Sequence, residues 1–463
     1  MKAIIQKLNE QTSGATLVLF RVAFGVMMAL SIVRFWAMGW IDQLYIKPSF
    51  FFTYYGFEWV KPLSATGMYD VFGLMFLSAV FIAAGFVYRF ASVAFFLLFT
   101  YVELIDKTTY LNHYYFISII AFLLCFLPAH KMFSLDAKLG ITKAASTLPR
   151  WMVFSIQLQM VMVYFFAGIA KINHEWLLEA LPLRIWLPAK NDTPIIGALL
   201  NETWVAYLFS WLGMFFDTLI PFFLLWRRTS YWAYAIVVVF HVITAILFPG
   251  IGMFPFIMIV CATVFLPSEF HQRVLAAITN KSSTFQITAT SHSKLDGLFP
   301  LTSYLLPLIP YIFLIHFSLQ LLLPFRYVFY PEKLFWHEEG YRFSWRVMLM
   351  EKAGMATFHV KDAATNQITE IHNTDYLTPQ QEKQMSTQPD MLLQFAKHIS
   401  RVYTLQGWQN PEVYVESNVT INGKGSRQFI RNDINLAAQN DGFAHKNWIL
   451  PYDFKDDKLM VEL

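Results

Sequence analysis

The sequence predicts a polytopic α-helical membrane protein with about nine transmembrane helices and a small C-terminal α+β extracytoplasmic domain. Hydrophobic residues make up 56% of the 463 residues and aromatic residues 18%, whereas charged residues make up only 14%. Soluble domains contain about a quarter charged residues, so the composition by itself indicates a membrane protein. The apolar residues gather into segments of bilayer length, and the composition becomes that of a soluble protein at Pro331. We therefore predict a helical bundle over residues 1–330 and a cap domain over residues 331–463.

Nine segments have the roughly 17–25 apolar residues that crossing a bilayer requires. No obvious cleavage site follows the polar, amphipathic N-terminus, so the first segment is predicted to be a transmembrane helix and not a removable signal peptide. Pro249, Gly250 and Gly252 join the seventh and eighth segments, and they predict either a turn or a kinked re-entrant pair. The segments lie near residues 16–40, 68–87, 90–106, 112–129, 151–172, 204–226, 231–249, 250–267 and 298–325.

The positions of lysine and arginine predict the orientation of the bundle. If the N-terminus with Lys2 and Lys7 is cytoplasmic, every internal loop is basic, as Arg89, Arg227 and Arg228 illustrate. The loops on the other side are acid-balanced or nearly uncharged, which agrees with the positive-inside rule. This assignment places the C-terminal domain outside the cytoplasm. The net charge of +4 is too small and too dispersed to favour nucleic-acid binding.

The C-terminal segment has the alternation and turn residues of a small α+β domain. Alternating residues over 355–362 and 367–372 predict two strands joined by a turn, and helical spacing predicts a helix over 390–403. Segments 411–416 and 419–430 predict a further strand–turn–strand unit with Asn422 and Gly423 in the turn.

Two short segments, 104–115 (LIDKTTYLNHYY) and 164–176 (YFFAGIAKINHEW), place ionisable and amide groups at the ends of apolar stretches. A charge there is costly unless it is paired, hydrated or used. Lys171 is the strongest candidate for a catalytic base, because burial favours the neutral amine. The alternative is a lysine whose ammonium extends to the lipid headgroups. His113 is either a structural group or a catalyst in a pocket shared with Lys171.

Other polar groups near or within the apolar segments also have two readings. Asp106 beside Lys107 forms either a local ion pair or part of the site, and Tyr110 is either an interfacial aromatic residue or a pocket residue. Gln159 and Asp217, like His241, lie at membrane depth in the sequence. They make interhelical hydrogen bonds or line a cavity that lipids can enter.

Segment 340–346 (GYRFSWR) follows the last predicted span. Tyr341 and Trp345 in this segment either anchor the cap at the headgroups or form a platform for a substrate. The sequence contains no HExxH, GxGxxG, P-loop or GxSxG motif, and Cys125 and Cys261 both lie in apolar stretches. We therefore expect no metal site, and hydrolases, nucleotide-dependent enzymes and metalloproteases have no support.

The chain resembles the vitamin K-dependent gamma-glutamyl carboxylase family, also described as the HTTM domain, over nearly its whole length. The most specific matches are the Asp-Lys-Thr…Asn-His and Ala-Gly…Lys…Trp patterns, because they occur together, in order and at this spacing. The matching segments are 20–25, 104–113, 163–176, 240–241, 251–254, 340–345, 390–394 and 411–414.

This resemblance implies a carboxylase of the carbon–carbon lyase class with a coupled vitamin K epoxidase activity. Reduced vitamin K (phylloquinol or menaquinol) is deprotonated, reacts with O2 and yields an alkoxide on the way to the epoxide. The alkoxide removes a proton from the γ-carbon of a protein glutamyl residue, and the carbanion adds to CO2. The implied partners are a glutamate-containing protein or peptide and the lipid bilayer. No metal is implied.

The resemblance also implies residue roles. The lysine that matches Lys171 is the initiating base, and the histidine that matches His113 acts in the carboxylation step. The predicted cofactor-binding residues are Asp106, Lys107, Tyr110, Asn112, Gln159, Tyr164 and His241, and the predicted substrate-binding residues are Tyr341 and Trp345.

The chain departs from the animal enzymes of this family in three places. It ends at Leu463, Met350 stands where a histidine is expected, and Ala170 replaces a second lysine. These departures argue against propeptide-guided recognition, and we expect a compact member from a bacterial inner membrane, for which menaquinol is one candidate quinol. Two alternatives stay open: a quinol epoxidase with another acceptor, and a non-catalytic quinone- or lipid-binding or transport module.

Overall fold

The computed structural model describes residues 2–279 and 306–452 of the chain. Helices make up most of these residues, and a small sheet lies in the C-terminal part. A short strand pair, β1 (Gln11–Ser13) and β2 (Thr147–Pro149), joins the N-terminus to the start of a long helix. The helices that precede the sheet are α1 (Lys2–Asn9), α2 (Ala15–Ala37), α3 (Ala65–Ala84), α4 (Tyr88–Ile105), α5 (Asn112–Phe126), α6 (Leu135–Lys138), α7 (Arg150–Ala170), α8 (His174–Leu178), α9 (Leu183–Trp186), α10 (Gly197–Leu200), α11 (Thr203–Leu225), α12 (Ser230–Leu247), α13 (Phe254–Ala262), α14 (Ser268–Thr279), α15 (Ile309–Leu322) and α16 (Leu334–His337).

Seven helices of the described residues are long and apolar enough to cross a membrane: α2, α3, α4, α7, α11, α12 and the segment Ile309–Phe329 that contains α15. The segments Phe254–Phe265 and Ser268–Thr279 form a pair bent by 107°, which raises the count to eight if the pair is one span. The predicted count of nine is therefore not confirmed. Residues 298–305 of the last predicted span lie outside the described residues.

Prolines explain why the two remaining predicted spans are not straight helices of bilayer length. Leu127 ends α5 in an extended conformation after 15 residues, and Pro128 follows it. Leu266 is likewise extended before Pro267, at the bend of 107°. The residue before a proline avoids the helical conformation, so each helix stops there. Hydropathy detects the apolar residues of such segments but not these interruptions.

The C-terminal sheet has four antiparallel strands in the order β4–β3–β5–β6, namely β3 (Lys352–Lys361), β4 (Ile368–Ile371), β5 (Glu412–Ile421) and β6 (Arg427–Gln428). Two helices, α17 (Pro379–Met385) and α18 (Pro389–Leu405), follow β4 in the chain. Phe358 of β3, Phe395 of α18 and Val415 of β5 are fully buried in the core that these elements share. The predicted hairpin over 355–372 and the predicted helix over 390–403 are confirmed.

The second predicted strand–turn–strand unit is present, with its turn at the predicted residues and strands of different lengths. Asn422 and Gly423 both have positive φ angles, of 51° and 71°, as a tight hairpin turn requires. β5 also includes residues 417 and 418, which lie between the two predicted segments, and it pairs along its whole length with the ten-residue strand β3, from Lys352–Ile421 to Lys361–Glu412. The returning strand β6 has only two residues.

Candidate active site

Lys171 forms a buried ion pair with Asp217 inside the helical bundle. Lys171 follows the last residue of α7, and its Nζ donates a hydrogen bond of 2.7 Å to Oδ2 of Asp217 on α11. The same Nζ donates to the carbonyl of Ala167 at 3.3 Å and lies 5.3 Å from the centre of the Trp176 ring. Lys171 is only 6% exposed. The ammonium therefore points into the bundle, and it does not extend to the headgroups.

A close contact between α7 and α11 brings these two side chains together. Gly168 lies one turn before Lys171, and a Cβ at Gly168 would be 2.4 Å from the Thr218 hydroxyl and 2.5 Å from its backbone nitrogen. Small residues allow helix backbones to approach in this way. Because Asp217 precedes Thr218, the contact at Gly168 places the carboxylate opposite the last turn of α7.

Lys171 and Asp217 lie in the wall of an otherwise apolar cavity of about 210 Å³. Leu212 of α11 and Ile243 of α12 line the cavity and are also 56% and 40% exposed on the outside of the bundle. The cavity therefore reaches the surface between these two helices, on the face that lipid chains would cover. The remaining lining residues that matter here are Tyr164, Trp176, Phe240, His241, Phe248 and Phe254.

Tyr164 and His241 form a second polar pair in this apolar wall. The Tyr164 hydroxyl lies 3.0 Å from Nε2 of His241, and Nδ1 of His241 has no hydrogen-bond partner. The Phe216 ring stacks on Phe240 at 3.8 Å and packs edge-on against Tyr164. Tyr164 on α7 and His241 on α12 were both predicted to bind the cofactor, and both lie in the same cavity as Lys171.

A second, polar cavity of about 310 Å³ adjoins the first. His113 lines it from the first turn of α5, and Tyr341 lines it from the segment after α16. Several cationic groups surround this space, together with one carboxylate. The charged lining residues are Lys107, Arg342, Arg346, Lys352 and Glu338, and Tyr110, Asn112 and Met350 are also in the lining.

Phe254, Val347 and Met348 line both cavities and so form their common wall. The Phe254 ring lies 5.9 Å from the His113 ring on one side and 5.6 Å from the His241 ring on the other. The structure therefore places His113 and Lys171 in adjoining cavities, and not in the single shared pocket that was one of the two interpretations of His113. This correction follows from Phe254, whose position between the two histidines is not visible in the sequence.

Tyr110 and Asn112 hold the segment that forms the polar cavity. The Tyr110 hydroxyl accepts a hydrogen bond from the backbone nitrogen of Phe343 at 2.8 Å, and Asn112 Nδ2 donates to the carbonyl of Arg346 at 3.0 Å. Phe343, Trp345 and Met348 all have positive φ angles, so the segment follows an irregular path that these contacts fix. Tyr110 and Asn112 thus position the cavity wall as well as lining the cavity.

Trp345 and Gln159 lie away from both cavities. Trp345 is 1% exposed, and its ring stacks on Tyr115 at 4.9 Å within the bundle core. Gln159 hydrogen-bonds to Gln320 at 3.3 Å and to His316 at 3.0 Å. Gln159 therefore makes interhelical hydrogen bonds, the first of the two alternatives considered for it. Trp345 packs in the core and does not form a platform for a substrate.

Two known sequence families match the chain. The model of the HTTM domain matches residues 9–270, which is more than half of the chain. The model of the vitamin K-dependent gamma-carboxylase lumenal domain matches residues 306–455. The chain belongs to the vitamin K-dependent gamma-carboxylase family. No solved structure matches it.

Membership in the gamma-carboxylase family gives the chain a vitamin K-dependent carboxylase-like role in a membrane. The family acts on glutamate-containing substrates and uses reduced vitamin K, O2 and CO2. The first match contains Lys171, Asp217 and His113, and the second contains Tyr341 and Arg346. The polar cavity therefore lies where the two matched regions meet.

Asp106 and Lys107 do not pair with each other, which corrects the local ion pair considered from the sequence. Lys107 Nζ contacts Asp390 of α18 at 2.7 Å, whereas Asp106 accepts hydrogen bonds from the backbone nitrogen of Thr108 and from Gln381 Nε2. Asp106 is extended, so the two neighbouring side chains point in different directions. Burial raises the pKa of Asp106, against the opposing effect of these hydrogen bonds.

Asp390 is shared between Lys107 and Arg342. Arg342 Nη1 lies 2.7 Å from the same Oδ2 atom that contacts Lys107. Burial acts to raise the pKa of Asp390, but Arg342 and Lys107 outweigh it and hold this pKa well below its usual range. Burial also lowers the pKa of Lys107, with Asp390 opposing that effect. These contacts join the loop after α4 to the C-terminal helix α18.

Arg346 is a functional candidate that the sequence analysis did not select. Its guanidinium lies 4.4 Å from the centre of the Tyr327 ring, and its Nε has no hydrogen-bond partner. Among the described residues no carboxylate lies within ion-pair distance of Arg346. Burial lowers the pKa of Arg346. Arg346 is therefore a cation of the polar cavity that a carboxylate ligand could neutralise.

Proposed function

We propose that this protein carboxylates the γ-carbon of glutamyl residues and couples that reaction to O2-dependent epoxidation of a reduced naphthoquinone. The observation that carries the proposal is the pair of adjoining cavities with a common wall, one apolar with a buried amine and one polar with unneutralised positive charge. The reaction needs a lipid-soluble quinol and a charged peptide side chain in adjacent places, and these cavities suit one each. Oxidation of the quinol by O2 supplies the strong base for the second half-reaction.

On the quinol side, Lys171 accepts the hydroxyl proton of the quinol. For this the amine must be neutral, and transfer of one proton from Lys171 to Asp217 across their 2.7 Å contact produces that state. The aromatic residues of the apolar cavity bind the ring system, and the opening at Leu212 and Ile243 admits a quinol from the bilayer. Tyr164 and His241 provide hydrogen bonds to a quinol oxygen.

On the glutamate side, Arg346 binds the γ-carboxylate of the substrate. Three other cations of the polar cavity already have carboxylate partners, namely Lys107, Arg342 and Lys352. They make the cavity more positive, but they do not offer a vacant position to the substrate carboxylate. His113 lies against the common wall, where charge develops as the γ-proton leaves and CO2 adds. Tyr341 lines the same cavity and contacts the backbone of Arg346 through its hydroxyl at 3.3 Å.

The test is an assay of both products by the purified protein in lipid nanodiscs. It receives reduced vitamin K or menaquinol, O2, labelled bicarbonate and a glutamate-rich peptide. We expect quinone epoxide and labelled peptide from the wild type, neither product from Lys171→Ala, and both from Lys383→Ala, which removes an exposed lysine. Epoxide from Lys171→Ala at the wild-type rate would contradict the assignment of the base.

The same assay separates the two alternatives. Epoxide without labelled peptide, across a range of peptides, favours a quinol epoxidase that acts on another acceptor. Binding of the quinone without either product favours a non-catalytic binding or transport module. A second arm with menaquinol identifies the quinol that the apolar cavity prefers.

The proposal includes the orientation predicted from the basic loops, with a cytoplasmic N-terminus and an extracytoplasmic cap over residues 331–463 in a bacterial inner membrane. Leu405 in α18 is 89% exposed and suits a labelling test. In a background with Cys125→Ser and Cys261→Ser, a membrane-impermeant maleimide added to intact cells should label Leu405→Cys. Arg228→Cys, in a predicted internal loop, should remain unlabelled until the cells are opened. The reverse pattern would overturn this orientation.

A further inference from the structure

His337, Glu339 and His445 bring three potential metal ligands together outside the two cavities. One ligand atom from each residue lies within 4.8 Å of the other two. Oε2 of Glu339 is 2.8 Å from Nδ1 of His445 and 3.9 Å from Nδ1 of His337. The two imidazole rings are stacked at a centroid distance of 5.7 Å. The cluster joins the end of α16 to a loop more than a hundred residues later in the chain.

The His337 imidazole is buried without a hydrogen-bond partner on either nitrogen. Its side chain is only 3% exposed, and that of Glu339 is 4% exposed. A buried polar atom without a partner is costly, so both nitrogens of His337 call for an explanation. Metal coordination satisfies one of them directly.

The spacing of the ligand atoms suits a small tetrahedral cation. Zn–N and Zn–O bonds of about 2.0–2.1 Å at tetrahedral angles place ligand atoms about 3.3 Å apart. The distances from Oε2 of Glu339 to Nδ1 of His445 and of His337 are 2.8 Å and 3.9 Å, one shorter and one longer than this separation. Rotations of the side chains are therefore sufficient to complete the geometry. Two histidines and one carboxylate are a common ligand set for zinc.

We propose that His337, Glu339 and His445 bind one Zn²⁺ ion that stabilises the wall of the polar cavity. Glu338, which separates two of the ligands in the chain, lines that cavity and pairs with Lys352 at 2.9 Å. The metal ties residues 337–339 to the loop at His445 and so fixes the direction in which Glu338 and the following residues enter the cavity. Its role is positional, since the three ligands themselves do not line either cavity.

Lys446 is the competing partner of Glu339. Its backbone nitrogen donates to Oε1 of Glu339 at 2.9 Å, and its Nζ lies 3.8 Å from the same atom. Both contacts involve Oε1, whereas both histidines face Oε2. The oxygen that faces the histidines is therefore available to a cation while Lys446 holds the other one. If no metal binds, Lys446 and the His445 hydrogen bond alone must balance the buried Glu339.

The test measures the metal content of the full-length protein, purified in nanodiscs without a polyhistidine tag and dialysed against Zn²⁺. We expect about one tightly bound Zn²⁺ per chain, measured by mass spectrometry of the digested protein. His337→Ala and Glu339→Gln should lose it, and His372→Ala, which removes an exposed histidine of the same region, should retain it. Co²⁺ in place of Zn²⁺ should give the strong visible absorption of a four-coordinate ion in the wild type and in His372→Ala, but not in His337→Ala or Glu339→Gln.

Glu339→Gln keeps the shape of the side chain, so its Zn²⁺ content tests the proposal even if His337→Ala does not fold. A wild type that takes up no Zn²⁺ would overturn the proposal, and so would equal Zn²⁺ content in the wild type and Glu339→Gln. The measurement does not depend on turnover, so failure of the carboxylase assay leaves its result unaffected.

Discussion

At the scale of single residues, the buried pair of Lys171 and Asp217 determines what the apolar cavity can do. A lysine at the end of an apolar helix is expected to extend its ammonium to water. Here the ammonium turns inward, because a carboxylate, a carbonyl and an aromatic ring surround it. Removing one member of a buried pair leaves the other charge without compensation, whereas replacing both with apolar residues is often tolerated.

This difference gives the first prediction. Asp217→Asn and Lys171→Met should each abolish epoxide formation and lower stability by about 3–5 kcal/mol. The double variant, Lys171→Met with Asp217→Leu, should recover most of the stability but none of the activity. Thermal unfolding in nanodiscs and epoxide production measure the two effects separately. If the double variant regained activity with its stability, the pair would have only a structural role.

Arg346 gives a prediction on the glutamate side. Arg346→Gln should raise the KM for a glutamate-rich peptide roughly 10- to 100-fold, since a charge-assisted hydrogen bond contributes about 1.5–3 kcal/mol. Quinol binding should not change, because Arg346 does not line the apolar cavity. The peptide concentration dependence of CO2 fixation measures this effect. Arg401→Gln, at an exposed position of α18, is the matched control, and an equal effect there would point to general electrostatics.

At the scale of secondary-structure elements, the crossing of α7 and α11 sets the distance between Lys171 and Asp217. A Cβ at Gly168 would overlap the backbone of Thr218, so the two helices could not keep their present separation. Overpacking of this kind costs about 1–3 kcal/mol. The same displacement would lengthen the contact between the amine and the carboxylate.

We therefore expect Gly168→Ala to lower the thermal stability and to reduce epoxide formation roughly 10- to 100-fold, because small misplacements of reacting groups are costly. Gly73→Ala on α3 is the control, since a Cβ there meets no atom within 4 Å. That substitution should leave activity unchanged and add up to about 1 kcal/mol through the higher helix propensity of alanine. Equal effects of Gly168→Ala and Gly73→Ala on epoxide formation would show that the crossing of α7 and α11 has no special role.

The elements themselves were largely predictable, because apolar segments, alternation and turn residues are local signals. The sequence located the long helices, the hairpin of β3 and β4, and the turn at Asn422. It did not reveal that α5 is short or that the chain bends before Pro267, since hydropathy averages over such breaks.

The arrangement of the site was less predictable, because it depends on pairings between distant residues. Lys171 and His113 stood out because ionisable groups are costly at the end of an apolar segment. Asp217 was visible as a polar residue at membrane depth, but nothing in the sequence linked it to a lysine 46 residues away. The ligands of the proposed zinc site escaped motif searches for the same reason, since His445 lies far from His337.

At the scale of the whole molecule, Asp390 joins the C-terminal helix α18 to the helical bundle. Its carboxylate is shared by Lys107, after α4, and Arg342, in the segment that lines the polar cavity. Because these cations hold the pKa of Asp390 below its unfolded value of about 3.9, the folded state gains stability from the charged form. This contribution is present above about pH 4 and is lost as the pH falls toward the folded pKa.

Asp390→Asn should therefore destabilise the protein at pH 7 by about 3 kcal/mol, because two buried cations lose their partner. The difference from the wild type should be constant from about pH 8 to pH 5 and should shrink below about pH 4. Thermal unfolding followed by tryptophan fluorescence across this range measures it. Asp375→Asn, at an exposed position, should match the wild type throughout. A difference that grew toward acidic pH would contradict the assigned sign.

Coupling between the two cavities depends on their common wall. The quinol reaction yields a base strong enough to deprotonate a glutamyl γ-carbon, and such a base is lost if water reaches it first. Phe254 has its ring between His113 and His241, so it both separates the cavities and limits the space that water can occupy. Removing part of this wall should therefore change how efficiently the quinol reaction drives carboxylation, more than it changes binding in either cavity.

Phe254→Ala should raise the ratio of epoxide formed to CO2 fixed. Water that enters the enlarged space should protonate the base before the base can deprotonate glutamate. Epoxide formation itself should continue, since Lys171 and Asp217 keep their contact on α7 and α11. Phe256→Ala, two residues later on α13 and 53% exposed, removes a ring of the same size from the outer surface and should leave the ratio unchanged. Both products are measured in one reaction, so differences in protein amount cancel. An unchanged ratio in Phe254→Ala would show that the base reaches glutamate by a route that does not pass this ring.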